Sequence, residues 1–489
     1  MATLPTKRSA TNVLPLPEGT PSFIITPGQK SYKHQYSNIY YARLTQTKHH
    51  VEERAKKRWK DLDGNPVLVP RVLEVTKGKL CYIIGTVYMD MPLKPNVIED
   101  IARDRSIPPP PPAEKFYSPD DKVMLEDESG RIPLVGDCVE KAKLVTGVIL
   151  GALGMETPNS EFEVIDICYA GITPSSMKEE SPEDVDDSRS GALDEWLAAI
   201  SGLEVGSQSS SDALIHLLVE YLTGEECAKR HSVPPSQISR LIVVGNSLTP
   251  LVINSKGEAN VEQVPDKKSR HDPTSFSTHP IFTLSAHLLD IGRVMPIHLL
   301  PGENDPSGVI MPQQPLPRGM FGAVATLSSF SCESNPTYLR IGTKDVTRTL
   351  LINSGQPLND MFKYVSCPPH TRLSLLESTL IWRHMAPTAP DTLWCHPYIG
   401  WDPFIIKETP DIYIVGGQER LFTKMVVEAE TKVRRCRIIG VPHFAKTGLL
   451  ALVNLRTLEV RKIRFGAEGK KYKVEGGGSN MEAEPSINF

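Results

Sequence analysis

Four apolar runs beyond about residue 190 each break at a glycine-bearing turn: Ser201-Gly202-Leu203, Gly245-Asn246-Ser247, Gly302-Glu303-Asn304-Asp305 and Gly416-Gly417-Gln418-Glu419. Loops beyond the carboxyl ends of strands are where open α/β sheets gather their chemistry. Turns in this order could hold two divalent cations roughly 3.5–4 Å apart, which activate water and clamp a phosphate ester. Such sites draw on His and Asp ligands. The side chains on offer here are Ser201, Asn246, Asn304, Asp305 and Gln418, and neither D-x-H nor H-x-H occurs in the chain. His384, in Trp382-Arg383-His384, is a stray further candidate. One carboxylate among neutral amides and a hydroxyl does not hold a cation pair against water, so no metal and no other cofactor is expected. The glycines stay because a strand that turns sharply needs them whatever the chemistry.

Apolar strands alternating with helices must position these turns. Leu197–Ile200, Ile238–Val244, Met295–Leu300, Ile412–Val415, Arg435–Val441 and Leu449–Leu455 read as strands. Ser211–Leu222, Thr283–Gly292 and Leu373–Arg383 read as helices, and Leu339–Leu351 as a hairpin. This grammar predicts a layered α/β unit over 191–465, with a mixed sheet or a two-sheet sandwich and flanking helices. Upstream, Ile39, Tyr40, Leu44, Val51, Ala55 and Trp59 form one stripe of a helix over about 37–60. About six short strands follow, from Val67–Val75 to Phe162–Tyr169, interrupted by the prolines Pro108–Pro112. That count predicts a small Greek-key barrel of oligonucleotide/oligosaccharide-binding (OB) type over 37–172. Residues 1–36 and 466–489 read as disordered, and the acidic stretch 173–190 as a linker or long loop.

The chain's 489 residues suit two to three domains. Lys and Arg total 54 against 58 Asp and Glu, a net charge of −4. That balance argues against a protein whose main work is coating nucleic acid. No apolar run reaches the ~18 residues of a membrane span, and the N-terminal stretch lacks a secretory apolar block. Eight scattered cysteines with no C-x-x-C pair read as reduced thiols of the cytosol or nucleus.

The order of the four turns matches that of a binuclear-metal phosphoesterase, with the ligands lost. The whole is similar to the B-subunits of eukaryotic replicative DNA polymerases, and lies nearest the small-subunit type of the delta enzyme. The resemblance covers about residues 37–465. It rests on Leu300-Pro301-Gly302-Glu303-Asn304-Asp305-Pro306, on Pro312-Gln313-Gln314-Pro315-Leu316-Pro317, on Arg383-His384-Met385-Ala386-Pro387-Thr388-Ala389-Pro390-Asp391-Thr392-Leu393, and on Val453-Asn454-Leu455-Arg456. It implies an OB barrel packed on an inactivated calcineurin-like phosphoesterase domain, without catalysis. It also implies two protein partners in the nucleus: the C-terminal metal-binding module of the polymerase delta catalytic subunit, and the N-terminal region of a third accessory subunit. DNA is then met only through the holoenzyme, in replication and repair synthesis. The alternatives are a residual metal-dependent phosphodiesterase or nuclease, and a stand-alone OB-type binder of single-stranded DNA.

Two further features bear on partners. Trp394, Tyr398 and Trp401 crowd one loop, and Trp and Tyr are enriched at interface hot spots, so these three form a candidate partner interface. Loop cores hold such residues as often. Lys56-Lys57-Arg58-Trp59-Lys60 could address the chain to the nucleus, but cations at a helix end are expected from the dipole alone.

Overall fold

The structure, a computed structural model, describes residues 8, 10–95, 113–173, 194–207, 211–225, 233–250, 278–343, 346–427, 434–466 and 473–476. A short strand, β1 (Asn12–Leu14), precedes the long helix α1 (Ser37–Arg58). Then come β2 (Val67–Leu68), β3 (Cys81–Asp90), β4 (Lys122–Glu126), β5 (Arg131–Val135), the short helix α2 (Asp137–Lys141), β6 (Ile149–Glu156) and β7 (Phe162–Cys168). Strands β3, β4, β5, β7 and β6 pair in that order, and β3 pairs back with β6 to close a barrel. Within the ring β5 and β7 run parallel and the other pairs antiparallel. This is the strand order of an OB barrel. Ile83, Val87, Leu125, Leu134, Leu150 and Phe162 fill it. The predicted stripe of α1 packs outside: Leu44 and Val51 meet Ile84 and Ile149, while Ala55 and Trp59 meet Tyr82 and Leu153.

The second unit begins with β8 (Trp196–Ile200), α3 (Ser211–Thr223), β9 (Ile238–Val244), α4 (His279–Gly292), β10 (Ile297–Leu300), β11 (Phe330–Cys332), β12 (Thr337–Gly342) and β13 (Thr347–Asn353). It continues with α5 (Gln356–Phe362), α6 (Arg372–Trp382), β14 (Ile412–Gln418), β15 (Phe422–Val427), β16 (Arg434–Pro442), α7 (Phe444–Thr447), β17 (Leu449–Asn454), β18 (Val460–Arg464) and β19 (Lys473–Gly476). Two mixed sheets result, ordered β11-β10-β9-β8-β17-β18-β19 and β1-β12-β13-β14-β16-β15. Their facing sides interdigitate, Leu197, Ile242, Val244 and Leu300 of one against Ile341, Ile352, Ile414 and Ile439 of the other. Because successive side chains point to opposite faces, the alternate residues Trp196, Leu241, Val243 and Leu299 turn outward against α3 and α4. On the far sheet Leu351, Tyr413 and Ile438 turn toward α5 and α6, in a core continuous with the barrel. Strands buried on both sides read as unbroken apolar runs, which is why the spacing found them. Helix, sheet, sheet, helix is the layering, and all four turns lie at one end.

Three expectations need correction. Residues 10–36 are not disordered: β1 pairs antiparallel with β12, and Phe23 is buried between Tyr338 and Phe404. Hydrogen bonds from distant side chains fix this arm, with Gln314 Nε2 donating to Phe23 O at 3.0 Å and accepting at its Oε1 from Ile25 N at 2.8 Å. Within 466–489, Lys473–Gly476 adds a strand to β18. The strand expected over Val67–Val75 is only Val67–Leu68, followed by a 3₁₀ turn at Val72–Glu74. The acidic stretch from 174 and Pro108–Pro112 lie outside the described residues.

A buried charge pair bolts the barrel helix to the second unit. Arg43 of α1 sets its Nε 2.8 Å from Asp402 Oδ2, both side chains being at most 1% exposed. Its other nitrogens donate to Pro387 O at 2.7 Å and Ala389 O at 2.6 Å, in the Ala-Pro-Thr-Ala-Pro segment. His384 donates from Nε2 to Asp402 Oδ2 at 2.8 Å and accepts at Nδ1 from Ala386 N at 3.2 Å, which assigns the neutral Nε2–H tautomer. Burial raises Asp402, but Arg43 and His384 outweigh it and hold the carboxyl well below the usual range. Burial, with Arg43 beside it, pushes His384 down to about 4.

Asp402→Asn leaves the Arg43 charge buried without its counter-ion and should cost about 3–5 kcal/mol, read as a lower urea midpoint. His384 also sets a pH dependence. Its folded pKa of about 4 lies below the ordinary 6.5, so between those values the unfolded chain binds the extra proton and stability falls as pH falls. Asp402 adds its loss only below the ordinary carboxylate range. His384→Gln should flatten the pH 6.5-to-4 slope relative to wild type in denaturation titrations; an unchanged slope contradicts the assignment.

Candidate functional site: the strand-end turns

Strands β8, β9 and β10 deliver Ser201, Gly245-Asn246 and Gly302–Asp305 to one point, and β14 brings Gly416–Gln418 from the facing sheet. The turns meet backbone on backbone. A Cβ built on Gly245 would lie 2.9 Å from Gly302 Cα, and one on Gly416 would lie 2.7 Å from Ser201 Oγ. Carbon atoms pack at about 3.5–4.0 Å, so no side chain enters at either place. Gly245 has φ +73, and Asn246 follows at φ 55, a left-handed conformation Asn tolerates.

Polar contacts then lock the turns together. Ser201 Oγ donates to Val244 O at 2.7 Å and accepts from Gly417 N at 2.8 Å, tying the two sheets. Asn246 Oδ1 accepts from Asn304 N at 3.0 Å. Asp305 Oδ1 accepts from Leu248 N at 2.9 Å and Oδ2 from Gly302 N at 2.8 Å. Burial raises the Asp305 carboxyl against the pull of those amides. Gln418 Nε2 donates to Gly416 O at 2.7 Å, and its Oε1 accepts from Arg372 Nη1 at 3.4 Å. His443 N donates to Gln418 O at 3.1 Å, which carries β16 into the same joint.

Four side chains that sequence reasoning passed over complete the cluster. Asn335 Nδ2 lies within hydrogen-bond reach of Gln313 Oε1 at 2.7 Å and Gln356 Oε1 at 3.0 Å. Asn335 Oδ1 accepts from Ser354 N at 2.9 Å. Ser354 Oγ donates to Gln356 Oε1 at 2.6 Å, and Gln313 Nε2 reaches Gly302 O at 3.0 Å. Gln313 sits in the Pro-Gln-Gln-Pro stretch that carried the resemblance, but nothing in an amide's spacing announces a buried network. The structure thus brings together Ser201, Asn246, Asn304, Asp305 and Gln418. His384 lies apart, in the Arg43–Asp402 cluster.

A cation pair does not fit these residues. The donors are neutral amides and hydroxyls, Asp305 spends both oxygens on backbone N–H groups, and the glycines close the intervening space. Among the described residues no group of three or more His, Cys, Asp or Glu side chains is placed to hold a metal ion. Trp394, Tyr398 and Trp401 form a separate surface. Trp394 is 61% exposed and Trp401 37%, while Tyr398 is buried between Trp401 and His396 with its hydroxyl unpaired.

Comparison with known proteins decides the family. The model for the DNA polymerase delta subunit OB-fold domain matches residues 35–167, and that for the DNA polymerase alpha/epsilon B-subunit matches 197–424. The DNA polymerase delta small subunit of Oryza sativa is 34% identical over 90% of this chain and 94% of its own. That of Arabidopsis thaliana is 34% identical over 89% and 92%, and that of Saccharomyces cerevisiae 32% over 89% and 90%. The chain belongs to the DNA polymerase delta small-subunit family. These are B-type accessory subunits rather than catalytic chains. In this family member the four turns are a structural joint built largely from buried polar groups.

Restoring one ligand type tests the joint. Asn246→Asp places a carboxylate beside Asp305 with one N–H to accept from, and should cost at least about 2 kcal/mol at pH 7. Millimolar Mn²⁺ should not recover the lost Tm. A variant as stable as wild type that gains Tm with Mn²⁺ would contradict the closed joint.

Proposed function

We propose that this chain is the non-catalytic scaffold of a nuclear DNA polymerase delta holoenzyme. It joins the C-terminal metal-binding module of the catalytic subunit to the N-terminal region of a third accessory subunit, in replication and repair synthesis. In this reading an OB barrel, at about 37–172, packs on an inactivated calcineurin-like phosphoesterase frame at about 191–465. The observation that carries the reading is the strand-end joint. A two-sheet frame has its turns meet where such a hydrolase would hold cations, yet they are joined there by hydrogen bonds among backbone groups, amides, hydroxyls and one carboxylate. A fold kept without its ligands is kept for its surfaces. The named relatives, all small subunits of DNA polymerase delta, support the same assembly.

Trp394 and Trp401, with Tyr398 packed against Trp401, are the proposed partner-facing aromatics. Large exposed aromatic groups repay burial at an interface.

Co-expression with the C-terminal segment of a polymerase delta catalytic subunit should yield a complex that survives size exclusion. Failure to co-purify contradicts the scaffold reading. Within that complex Trp394→Ala, at an exposed position, should leave Tm unchanged and weaken association at least about tenfold. Unchanged affinity would remove the aromatic loop from the interface.

A further inference from the structure

Cations crowd a seam between the barrel and the second unit. The backbone of residues 115–117 runs along residues 362–365, with Phe116 N and Tyr117 N donating to Lys363 O at 2.8 and 3.2 Å. Lys115 Nζ lies 3.5 Å from the centre of the Phe362 ring, and Arg372 Cζ 4.7 Å from the same ring. Lys363 Nζ stands 5.3 Å from the Phe116 ring. His370 has Lys143 and Lys115 as its charged neighbours, and with burial they push its pKa down. Five cationic or ionisable nitrogen side chains thus meet, Lys115 and Lys143 from the barrel and Lys363, His370 and Arg372 from the second unit.

Among the described residues none of the five forms a salt bridge with a carboxylate. Glu419 acts on Arg372, and Asp360, which acts on Lys363, is buried beneath with Thr392 as its donor. The donors are also incompletely used. Arg372 commits Nη1 to Asn359 Oδ1 at 2.6 Å and to Gln418, while Lys115 caps the carbonyls of Phe362 and Val365. Lys143 and His370 make no hydrogen bond or ion pair among the described residues. In a chain of net charge −4 such a patch stands against the prevailing sign, and it exists only while the two units are docked.

We propose that this seam binds the phosphate backbone of single-stranded nucleic acid, through Lys143, His370, Lys363 and the unspent nitrogens of Arg372. A strand suits it better than an acidic peptide. Arg372 offers its planar fork to phosphate oxygens, and a strand, charged at every nucleotide, releases condensed counterions on binding, a gain a short acidic peptide lacks. Phe362 is covered by Lys115 and Arg372 and Phe116 is buried, so neither ring serves as a stacking platform; binding is electrostatic and indifferent to sequence. With about three phosphates neutralised, by Lys143, Lys363 and Arg372, log K should fall with log salt at a slope near −2, from roughly 0.7 per phosphate for a single strand.

Cys367 supplies a reporter, because this thiol is exposed and lies beside Lys115 and Arg372. The experiment uses the full chain, or the complex it purifies in, with a fluorescent oligothymidylate and mass-spectrometric readout of iodoacetamide labelling at Cys367. The oligonucleotide should slow Cys367 alkylation at least about fivefold at low salt, and the protection should vanish at 0.5 M salt. Lys143→Glu with His370→Glu should weaken binding at least tenfold, while Lys77→Glu, on the loop that leads into β3, should leave it unchanged. The proposal is overturned if Cys367 is not protected, if Lys77→Glu weakens binding as much as the seam variants, or if polyglutamate of matched charge protects Cys367 and the oligonucleotide does not. None of these readouts depends on co-purification with a polymerase subunit, so this site and the scaffold reading fail separately.

Discussion

Backbone crowding at the strand ends is the constraint from which the second unit follows. Two sheets can approach at their carboxyl ends only if their turns carry no side chains at the crossing, which Gly245, Gly302 and Gly416 provide. Once the backbones touch, every N–H and C=O between them must find a partner, because water has no room. Ser201, Asn246, Asp305, Gln418 and the Gln313–Asn335–Ser354–Gln356 set answer that demand with groups carrying at most one charge. A buried polar network with most of its groups satisfied, Ser247 Oγ being an exception, favours a single arrangement over a loose one. What was a place for chemistry in the turn pattern is therefore a rivet between sheets.

The barrel is attached on a different principle. Arg43 is a full charge with almost no exposure, stabilised by Asp402 and by carbonyls of the Ala-Pro-Thr-Ala-Pro segment. Replacing such a pair by apolar groups need not cost stability, whereas removing one partner does. The pair therefore fixes the relative placement of the helix and the loop more than it adds to the total. The N-terminal arm reinforces the second unit, with Arg8 donating to the carbonyls of Leu222, Pro235 and Ile238, and Arg240 Nη2 to Thr11 O at 2.8 Å. The cationic seam is a by-product of the same docking.

Much of this was legible in the residues. The run Ile238–Val244 is strand β9 to the residue, because Leu241–Val244 is an apolar stretch buried on both faces, while Ser239 and Arg240 near its start are buried and hydrogen-bonded. The stripe of α1 and the four turns were equally plain. The short elements were not. Helix α5 begins Gln356-Pro357 and is too brief for a period to show, and β15 and β18 mix charge with apolar residues at the margins of their sheets. The N-terminal arm is proline-rich and reads as disorder because its order comes from partners hundreds of residues away. At the site the turns could be found from glycine and apolar runs, but Gln313, Asn335, Ser354 and Gln356 could not. Neutral amides and hydroxyls serve anywhere on a surface, and only the folded distances reveal them as a network.

Hydrogen exchange at the joint itself measures the central claim. Turn amides of a working hydrolase mouth face solvent and exchange quickly, whereas those of a rivet open only with the fold. The amides of Leu248, Gly302, Asn304 and Gly417 should exchange as slowly as those of strand β9, with protection near the global unfolding free energy. Exchange of these four within seconds at neutral pH, while β9 remains protected, would contradict the account.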